Sequence, residues 1–199
     1  RLCAPGNSVL EVGAHHGMMT TLLSCGAGDA GQVHAVEASA DNAMVLDANC
    51  FQNRLTNVTT SFVAVGAQAG IVKFGGESLA AASGIVREVP MVTADQFCAD
   101  RAIGQIDLLK IDVEGFEKGV LEGASEILKQ RPKLALELHV DLLPQTGSSA
   151  ADVWQLLESA GMFHDRKVTM VSRPDWNDVR DVSTFAGIPN NGVVNLFVA

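Results

Sequence analysis

The sequence has little positive charge, and this argues against one large class of partners. It carries 14 lysines and arginines against 23 aspartates and glutamates, which gives a net charge of −9. A protein that holds nucleic acid through its phosphates usually needs a basic face. The densest basic segment, KQRPK, resembles a helix end rather than a binding surface. We therefore expect no nucleic-acid partner.

Paired cysteines and long apolar runs are also missing. The four cysteines lie far apart and form no CxxC pair, which argues against a zinc site or a disulfide scaffold. Free thiols are typical of a reducing compartment, so we expect a cytoplasmic protein. No uncharged apolar run approaches the roughly 18 residues that span a bilayer. We therefore expect no membrane partner.

The sequence does have the size and patterning of one α/β domain. Its 199 residues are 47% hydrophobic and 19% charged, as in globular proteins. No repeat, low-complexity tract or linker divides 1–199, so we expect a single domain. Apolar segments such as SVLEVG and QVHAVE alternate with helical patterns, which predicts a mostly parallel sheet with helices on both faces. No helix separates KVTMVS from VVNLFVA, so these strands should pair antiparallel at one edge.

Three other segments carry more local predictions. GIVKFGG and SGIVREVPMV are set off by glycines and predict a peripheral antiparallel excursion, whose exposed edge could pair with a second copy to form a homo-oligomer. GFEKGVLEGASEILKQ has a helical period and predicts one long helix that ends before Pro132. RPDWNDVRDVSTFAGIPNN is rich in turn residues and predicts a surface loop.

The stretch VLEVGAHHGMMT places an acid and a small-residue turn at the end of the first strand. Ligands bind beyond the carboxyl ends of strands in such sheets, and Gly13 and Gly17 would let the backbone turn sharply beside a ligand. Dinucleotide folds have G-x-G-x-x-G here to bind a pyrophosphate. Glu11 would repel a pyrophosphate but suits a cationic ligand, which argues against a nucleotide-dependent dehydrogenase. An ordinary tight turn is the alternative.

A second acid, Glu37, ends the next strand. A carboxylate in this position can accept hydrogen bonds from both hydroxyls of a ribose. A cationic nucleoside such as S-adenosylmethionine would therefore account for both Glu11 and Glu37. The alternative is that Glu37 is a helix-capping or solvent-exposed acid.

Two later strands also end in charged residues. In LLKIDVEGFE, Lys110 and Asp112 share one side of the strand and Glu114 follows at its carboxyl end. In LALELH, Glu137 and His139 share a side in the same way. A lysine within an apolar run is costly unless it is paired, so we expect these side chains to converge on one cleft. The alternative is a structural ion pair, for instance between Lys110 and Glu137, beside a hydrogen-bonded histidine.

Taken in order, these segments resemble the FkbM-type methyltransferases. These are S-adenosylmethionine-dependent enzymes, many of which methylate hydroxyl groups of sugars and secondary metabolites. The resemblance runs from about Val9 to His139, and KIDVEG is its most specific piece. It implies a class I methyltransferase (Rossmann-like) fold with a mostly parallel seven-stranded sheet and an antiparallel last strand. It also implies S-adenosylmethionine as cofactor and a small-molecule or glycan acceptor.

The resemblance further implies where the cofactor would lie. Glu37 would hold its ribose, and His15, which replaces the family's usual small residue or asparagine, would contact cofactor or substrate or else be exposed. The remaining residues fall into three groups: Glu11, Gly13, Ala14 and Gly17 around the methionine part, Ala38 and Ser39 near the adenine, and Asp112 and Glu114 beside the reacting centre.

A hydroxyl acceptor must lose its proton, so a nearby base would assist the transfer. The hypothesis from the sequence is that Asp112 or His139 is this base. Glu137 would orient the base or bind a substrate hydroxyl, and Lys110 would neutralise the carboxylates. A divalent ion on Asp112, as in catechol-type methyltransferases, lacks an evident second and third ligand, so we expect no metal. The alternative function is a non-catalytic S-adenosylmethionine-binding module.

Overall fold

The structure is a computed structural model that describes residues 2–75, 86–172 and 178–199. Its strands are β1 (Ser8–Val12), β2 (Gln32–Glu37), β3 (Val58–Phe62), β4 (Ala64–Val65), β5 (Gly70–Gly75), β6 (Val86–Val92), β7 (Leu108–Ile111), β8 (Lys133–His139), β9 (Val168–Ser172), β10 (Val179–Asp181) and β11 (Val193–Val198). Its α-helices are α1 (Met18–Ala27), α2 (Ala40–Gln52), α3 (Ala94–Asp100), α4 (Glu117–Glu122), α5 (Ser125–Lys129) and α6 (Ala150–Ser159). None of the helices in the described part of the chain has the length and apolar character needed to cross a bilayer.

Eight strands form the main sheet in the order β10-β9-β11-β8-β7-β1-β2-β3. The pairs from β3 to β8 are parallel, and β11 pairs antiparallel with both β8 and β9. The chain runs outward from β1 to β2 and β3 and then continues at β7, on the other side of β1. The strand order therefore reverses between β1 and β7, which is where ligands bind in open α/β sheets.

Helices cover both faces of the sheet, as the alternating sequence pattern predicts. Neighbouring residues of a strand point to opposite faces, so Val9 and Leu10 of β1 enter different clusters. Val9 packs with Leu23 of α1, whereas Leu10 belongs to the larger core that contains Val120 of α4 and Val153 of α6. The predicted α/β class with a mostly parallel sheet is confirmed.

The predicted peripheral excursion is a second sheet with the order β4-β6-β5. β5 and β6 pair antiparallel from Gly70 opposite Met91 to Gly75 opposite Val86, and β4 pairs parallel with β6. The antiparallel prediction is confirmed for these strands. Gly76 and residues 83–85 of the two quoted segments lie outside the described residues.

Two details of the sequence prediction are wrong, and a third is confirmed. The main sheet has an eighth strand, because β10 lies in the segment predicted as loop and adds to β9; a three-residue strand is too short to give a periodic signal. The predicted antiparallel pairing of β9 with β11 is confirmed, and β11 lies between β8 and β9. The long helix is divided into α4, which ends at Glu122, and α5, in whose first turn the amides of Glu126 and Ile127 donate to the carboxylate of Asp95.

Candidate functional site

A cavity of about 920 Å³ opens at the carboxyl ends of β1, β2 and β7. It therefore lies at the switch point of the strand order. Most of the residues that the sequence singles out line this cavity: Gly13, Ala14, His15, Glu37, Ala38, Lys110, Asp112, Glu114 and Glu137. Glu11, Gly17, Ser39 and His139 do not line it but contact residues that do.

The turn between β1 and α1 needs its two glycines. Gly13 has a φ of 81°, and a Cβ at this position would lie 1.7 Å from the carbonyl oxygen of Asp112. Gly17 has a φ of 86°, and its Cβ would lie 2.7 Å from Leu46 Cδ1. Both φ values favour glycine, and at Gly13 the approach to a main-chain oxygen leaves no room for a Cβ. The turn is thereby pressed against the end of β7 on one side and against α2 on the other.

Main-chain donors from this turn and from α2 hold the carboxylate of Glu37. The amide of His15 donates to Oε2 and the amide of Ser39 donates to Oε1, both at 2.7 Å. Ser39 also caps α2 by accepting a hydrogen bond from the amide of Asn42, so the capping role proposed as an alternative for Glu37 belongs to Ser39. An ionised carboxylate has about four acceptor sites. Glu37 can therefore accept further hydrogen bonds on its cavity side.

Glu11 lies beneath the turn, and the prediction that its carboxylate faces the ligand is wrong. Its side chain is wholly buried and accepts a hydrogen bond from Thr20 Oγ1 at 2.6 Å. Lys110 Nζ lies 3.6 Å from its other oxygen. Burial raises the pKa of Glu11, and the charge of Lys110 opposes this effect. Glu11 therefore contacts Lys110, which lines the cavity, but does not line the cavity itself.

Lys110 connects β7 to the turn. Its Nζ donates to the carbonyl oxygen of Gly13 at 2.9 Å and lies 3.4 Å from Asp112 Oδ2. With Glu11 beneath it, the ammonium group has acceptors on several sides, and the Lys110 side chain is only 12% exposed. The structural ion pair proposed between Lys110 and Glu137 is wrong, since the carboxylate partners of Lys110 are Glu11 and Asp112. The predicted role of Lys110 in neutralising carboxylates agrees with this geometry.

His139 lies at the centre of the other acidic group. Its Nδ1 is 2.7 Å from Glu117 Oε1, and its Nε2 lies 3.3 Å from Glu114, 3.7 Å from Glu137 and 3.9 Å from Asp112. Burial alone would lower the pKa of His139. The hydrogen bond to Glu117 and the negative charges of Glu117, Glu114 and Asp112 together raise it above its ordinary value. This environment favours the imidazolium form.

A divalent ion could also be held here. Asp112, Glu114 and His139 each offer one ligand atom, and these atoms lie within 4.8 Å of one another. The sequence did not reveal the second and third ligands because Glu114 and His139 come together only through the pairing of β7 with β8. The absence of a metal stays a prediction.

Two residues of this site were missed in the sequence. Glu117 is fully buried and bonded to His139; its signal was an acid three residues after Glu114, at the start of a helical pattern. Asn195 of β11 pairs across the sheet with Glu137 and lines the cavity. No local pattern identifies Asn195, because its position depends on strand order and register.

The two adjacent histidines both reach the cavity. Their ring centroids are 3.9 Å apart, and His16 Nε2 lies 3.1 Å from Asn42 Oδ1. His15 has a φ of 50°, unusual for a residue other than glycine. This conformation aims the His15 amide at Glu37 while the side chain stays beside the cavity.

Residues 11–162 match the family described as the methyltransferase FkbM domain, and no curated protein sequence matches the chain. Among solved structures, the methyltransferase FkbM of Methylobacillus flagellatus has a TM-score of 0.63 at 16% identity, covering 96% of this chain and 43% of its own. An S-adenosylmethionine-dependent O-methyltransferase of Thermotoga maritima has a TM-score of 0.53 at 16% identity, covering 98% of this chain and 59% of its own.

A fibrillarin pre-rRNA processing protein of Methanococcus jannaschii has a TM-score of 0.56 at 12% identity, with coverages of 100% and 67%. At these identities the similarity concerns the fold, which is that of class I methyltransferases. The chain spans less than half the length of the Methylobacillus protein.

Proposed function

The chain belongs to the methyltransferase FkbM domain family, and from this premise we propose that it transfers a methyl group from S-adenosylmethionine to a hydroxyl oxygen of a small-molecule or glycan acceptor. One observation carries the proposal. The carboxylates of Glu37 and Asp112, at the ends of β2 and β7, line the same cavity on either side of the glycine turn. A cationic nucleoside is the ligand that this arrangement fits best.

The residues present fit such a cofactor. Glu37 is fixed by two main-chain donors and retains acceptor sites for the ribose hydroxyls. Ala38, Val63 and Ala64 give an apolar wall next to it for an adenine. The turn at Gly13 and Ala14 presents backbone rather than bulky side chains to the cavity. The cofactor, when bound, supplies a methyl group on a positively charged sulfur, which is reactive by itself.

The protein contributes alignment and a base. Asp112 lines the cavity with its side chain 29% exposed, whereas His139 lies behind it. Of the two bases considered from the sequence, we therefore favour Asp112 as the one that contacts an acceptor hydroxyl. Lys110 donates to Oδ2 of Asp112, whereas His139 lies nearer to Oδ1, so the carboxylate is held between the two side chains. A base positioned in this way typically contributes on the order of a hundredfold to ten-thousandfold in rate.

The proposed kind of acceptor is argued from the wall of the cavity that α1 forms. Met18, Met19 and Leu22 line the cavity and are 79%, 40% and 62% exposed. Exposed apolar groups at a cavity mouth are typical of a binding surface. An acceptor with both hydroxyl groups and an apolar part would match this wall and the carboxylates opposite. The net charge of −9 opposes a nucleic-acid acceptor.

Calorimetric titration tests the cofactor assignment. We expect S-adenosylmethionine and S-adenosylhomocysteine to bind and NAD not to bind. Glu37→Gln should weaken binding at least tenfold, because the amide cannot accept at both positions. Glu158→Gln, at an exposed position of α6, is the matched control and should bind normally. Tight binding of NAD, or unchanged binding by the Glu37 variant, would contradict the assignment.

Turnover tests the reaction. Release of S-adenosylhomocysteine with a panel of hydroxylated acceptors should fall at least a hundredfold in Asp112→Asn while cofactor binding persists. His139→Ala should reduce turnover without removing it, since His139 does not line the cavity. If the protein binds the cofactor but methylates none of the acceptors, the non-catalytic binding module becomes the better account.

A further inference from the structure

We propose that Glu117 is a positioning residue: it fixes His139 from beneath, and through His139 it gathers Asp112, Glu114 and Glu137 at the acceptor end of the cavity. The expected effect on turnover rests on the proposed function, whereas the contact between Glu117 and His139 does not depend on it. Glu117 is not among the residues that line the cavity, and the hydrogen bonds shown for its carboxylate come from His139 and the amide of Gly115.

The first support is the environment of Glu117. Its side chain is wholly buried, and its Oε1 accepts hydrogen bonds from His139 Nδ1 at 2.7 Å and from the amide of Gly115 at 3.0 Å. Its Oε2 is buried without a hydrogen-bond partner. A buried carboxylate is expensive unless a positive charge accompanies it. The ion-pair partner that the structure shows for Glu117 is His139.

The second support is the local backbone. Glu114 and Gly115 have φ values of 51° and 94°, and a Cβ on Gly115 would lie 2.6 Å from Leu142 Cβ. These two left-handed residues reverse the chain within one turn. As a result Glu114 reaches the Nε2 side of His139 while Glu117 reaches its Nδ1 side. One short segment therefore holds the imidazole between two carboxylates.

The third support is the balance of charge around Nε2. The groups that face His139 are Glu117 from α4, Asp112 and Glu114 from the end of β7, and Glu137 from β8. Three carboxylates within 4 Å of one nitrogen would repel one another if the imidazole were neutral. The hydrogen bond between Nδ1 and Glu117 sets the orientation of the ring, and this orientation directs Nε2 at the three carboxylates. Lys110 adds a second cation 3.4 Å from Asp112. Loss of the Glu117 carboxylate should therefore loosen the acceptor end while leaving the cofactor end intact.

Nitrogen-15 NMR of histidine-labelled protein tests the structural part directly. The sample is dialysed against EDTA, and His139 is assigned among the five histidines by loss of its signals in His139→Gln. We expect His139 to titrate above the ordinary value of about 6.5 and to be protonated on Nδ1. In Glu117→Gln the titration midpoint of His139 should fall, because the hydrogen bond and the negative charge of Glu117 raise the pKa of His139. Glu122→Gln, on the exposed side of the same helix, should leave the midpoint in place.

Turnover and binding test the functional part. Glu117→Gln should lower kcat at least tenfold while the Kd for S-adenosylmethionine changes less than twofold. Glu117→Asp keeps the charge with a shorter reach, so its turnover should lie between wild type and Glu117→Gln. In the double variant with His139→Gln, the Glu117 change should add little, because both act through the same group.

The outcomes separate the two proposals. An unmoved His139 midpoint in Glu117→Gln overturns the positioning role, as does a shifted midpoint with unchanged kcat or fully additive losses in the double variant. The titration needs neither methyl donor nor acceptor. If the wild-type protein shows the expected titration but no cofactor binding, the proposed function fails and the structural link from Glu117 to His139 stands.

Discussion

The two halves of the cavity are built in different ways. In the half that we propose to hold the cofactor, called the cofactor half, backbone atoms form most of the site: glycines shape the turn, and main-chain amides hold Glu37. At the acceptor half, charged side chains from β7, β8 and α4 hold one another around His139. The first half depends on chain geometry and the second on protonation. We therefore expect them to respond differently to substitution, pH and metal.

Lys110 joins the two halves, and its removal should have the largest effect. Lys110→Met leaves the wholly buried Glu11 without its cation. Removing one partner of a buried pair costs about 3–5 kcal/mol, which urea unfolding would measure. Lys118→Met, which breaks a partly exposed pair with Glu122, is the control and should cost less than about 1 kcal/mol. Equal losses in the two variants would show that Lys110 is not a structural link.

The loss of unfolding free energy in Lys110→Met should depend on pH. Burial raises the pKa of Glu11 and Lys110 lowers it, so the variant raises this pKa further. A folded-state carboxyl with a raised pKa binds its proton more tightly than the unfolded chain, and stability falls as pH rises through that window. The difference in unfolding free energy between variant and wild type should therefore be smaller at about pH 5 than at about pH 8. A difference that grows on acidification would contradict this account.

Gly13→Ala should have the second-largest effect on stability, because it disturbs the backbone on which the cofactor half depends. The added Cβ would collide with the carbonyl oxygen of Asp112, at a φ of 81° that alanine rarely adopts. We expect a loss of about 2 kcal/mol or more in unfolding free energy and loss of cofactor binding. Gly104→Ala is a matched control, since nothing lies within 4 Å of its Cβ position. Normal cofactor binding by Gly13→Ala would show that this half tolerates a different turn.

Metal removal should have the smallest effect. We expect the imidazolium of His139, rather than a divalent ion, to balance the acidic side chains beside it. Dialysis against EDTA should then change turnover less than twofold, and Mn²⁺ should not restore or increase it. Activity that disappears with EDTA and returns with Mn²⁺ would instead assign Asp112, Glu114 and His139 as metal ligands.

The same contrast explains what could be predicted from the sequence. Gly13, Gly17 and Glu37 lie in local patterns whose spacing already indicates a turn and a strand end, and the structure shows that turn and that strand end. The position of Glu11 was wrong because burial beneath the turn depends on Thr20 and Lys110, which come from α1 and β7. Glu117 was missed because its partner lies 22 residues away on another strand. Pairs of this kind become visible only when strand order and register are known.

The most direct test of the central claim is a crystal structure of the protein with S-adenosylhomocysteine. The account predicts the ribose hydroxyls within hydrogen-bonding distance of Glu37, the sulfur beside the glycine turn, and an unfilled volume between that sulfur and Asp112. A ligand bound elsewhere, or one whose ribose does not contact Glu37, would contradict it.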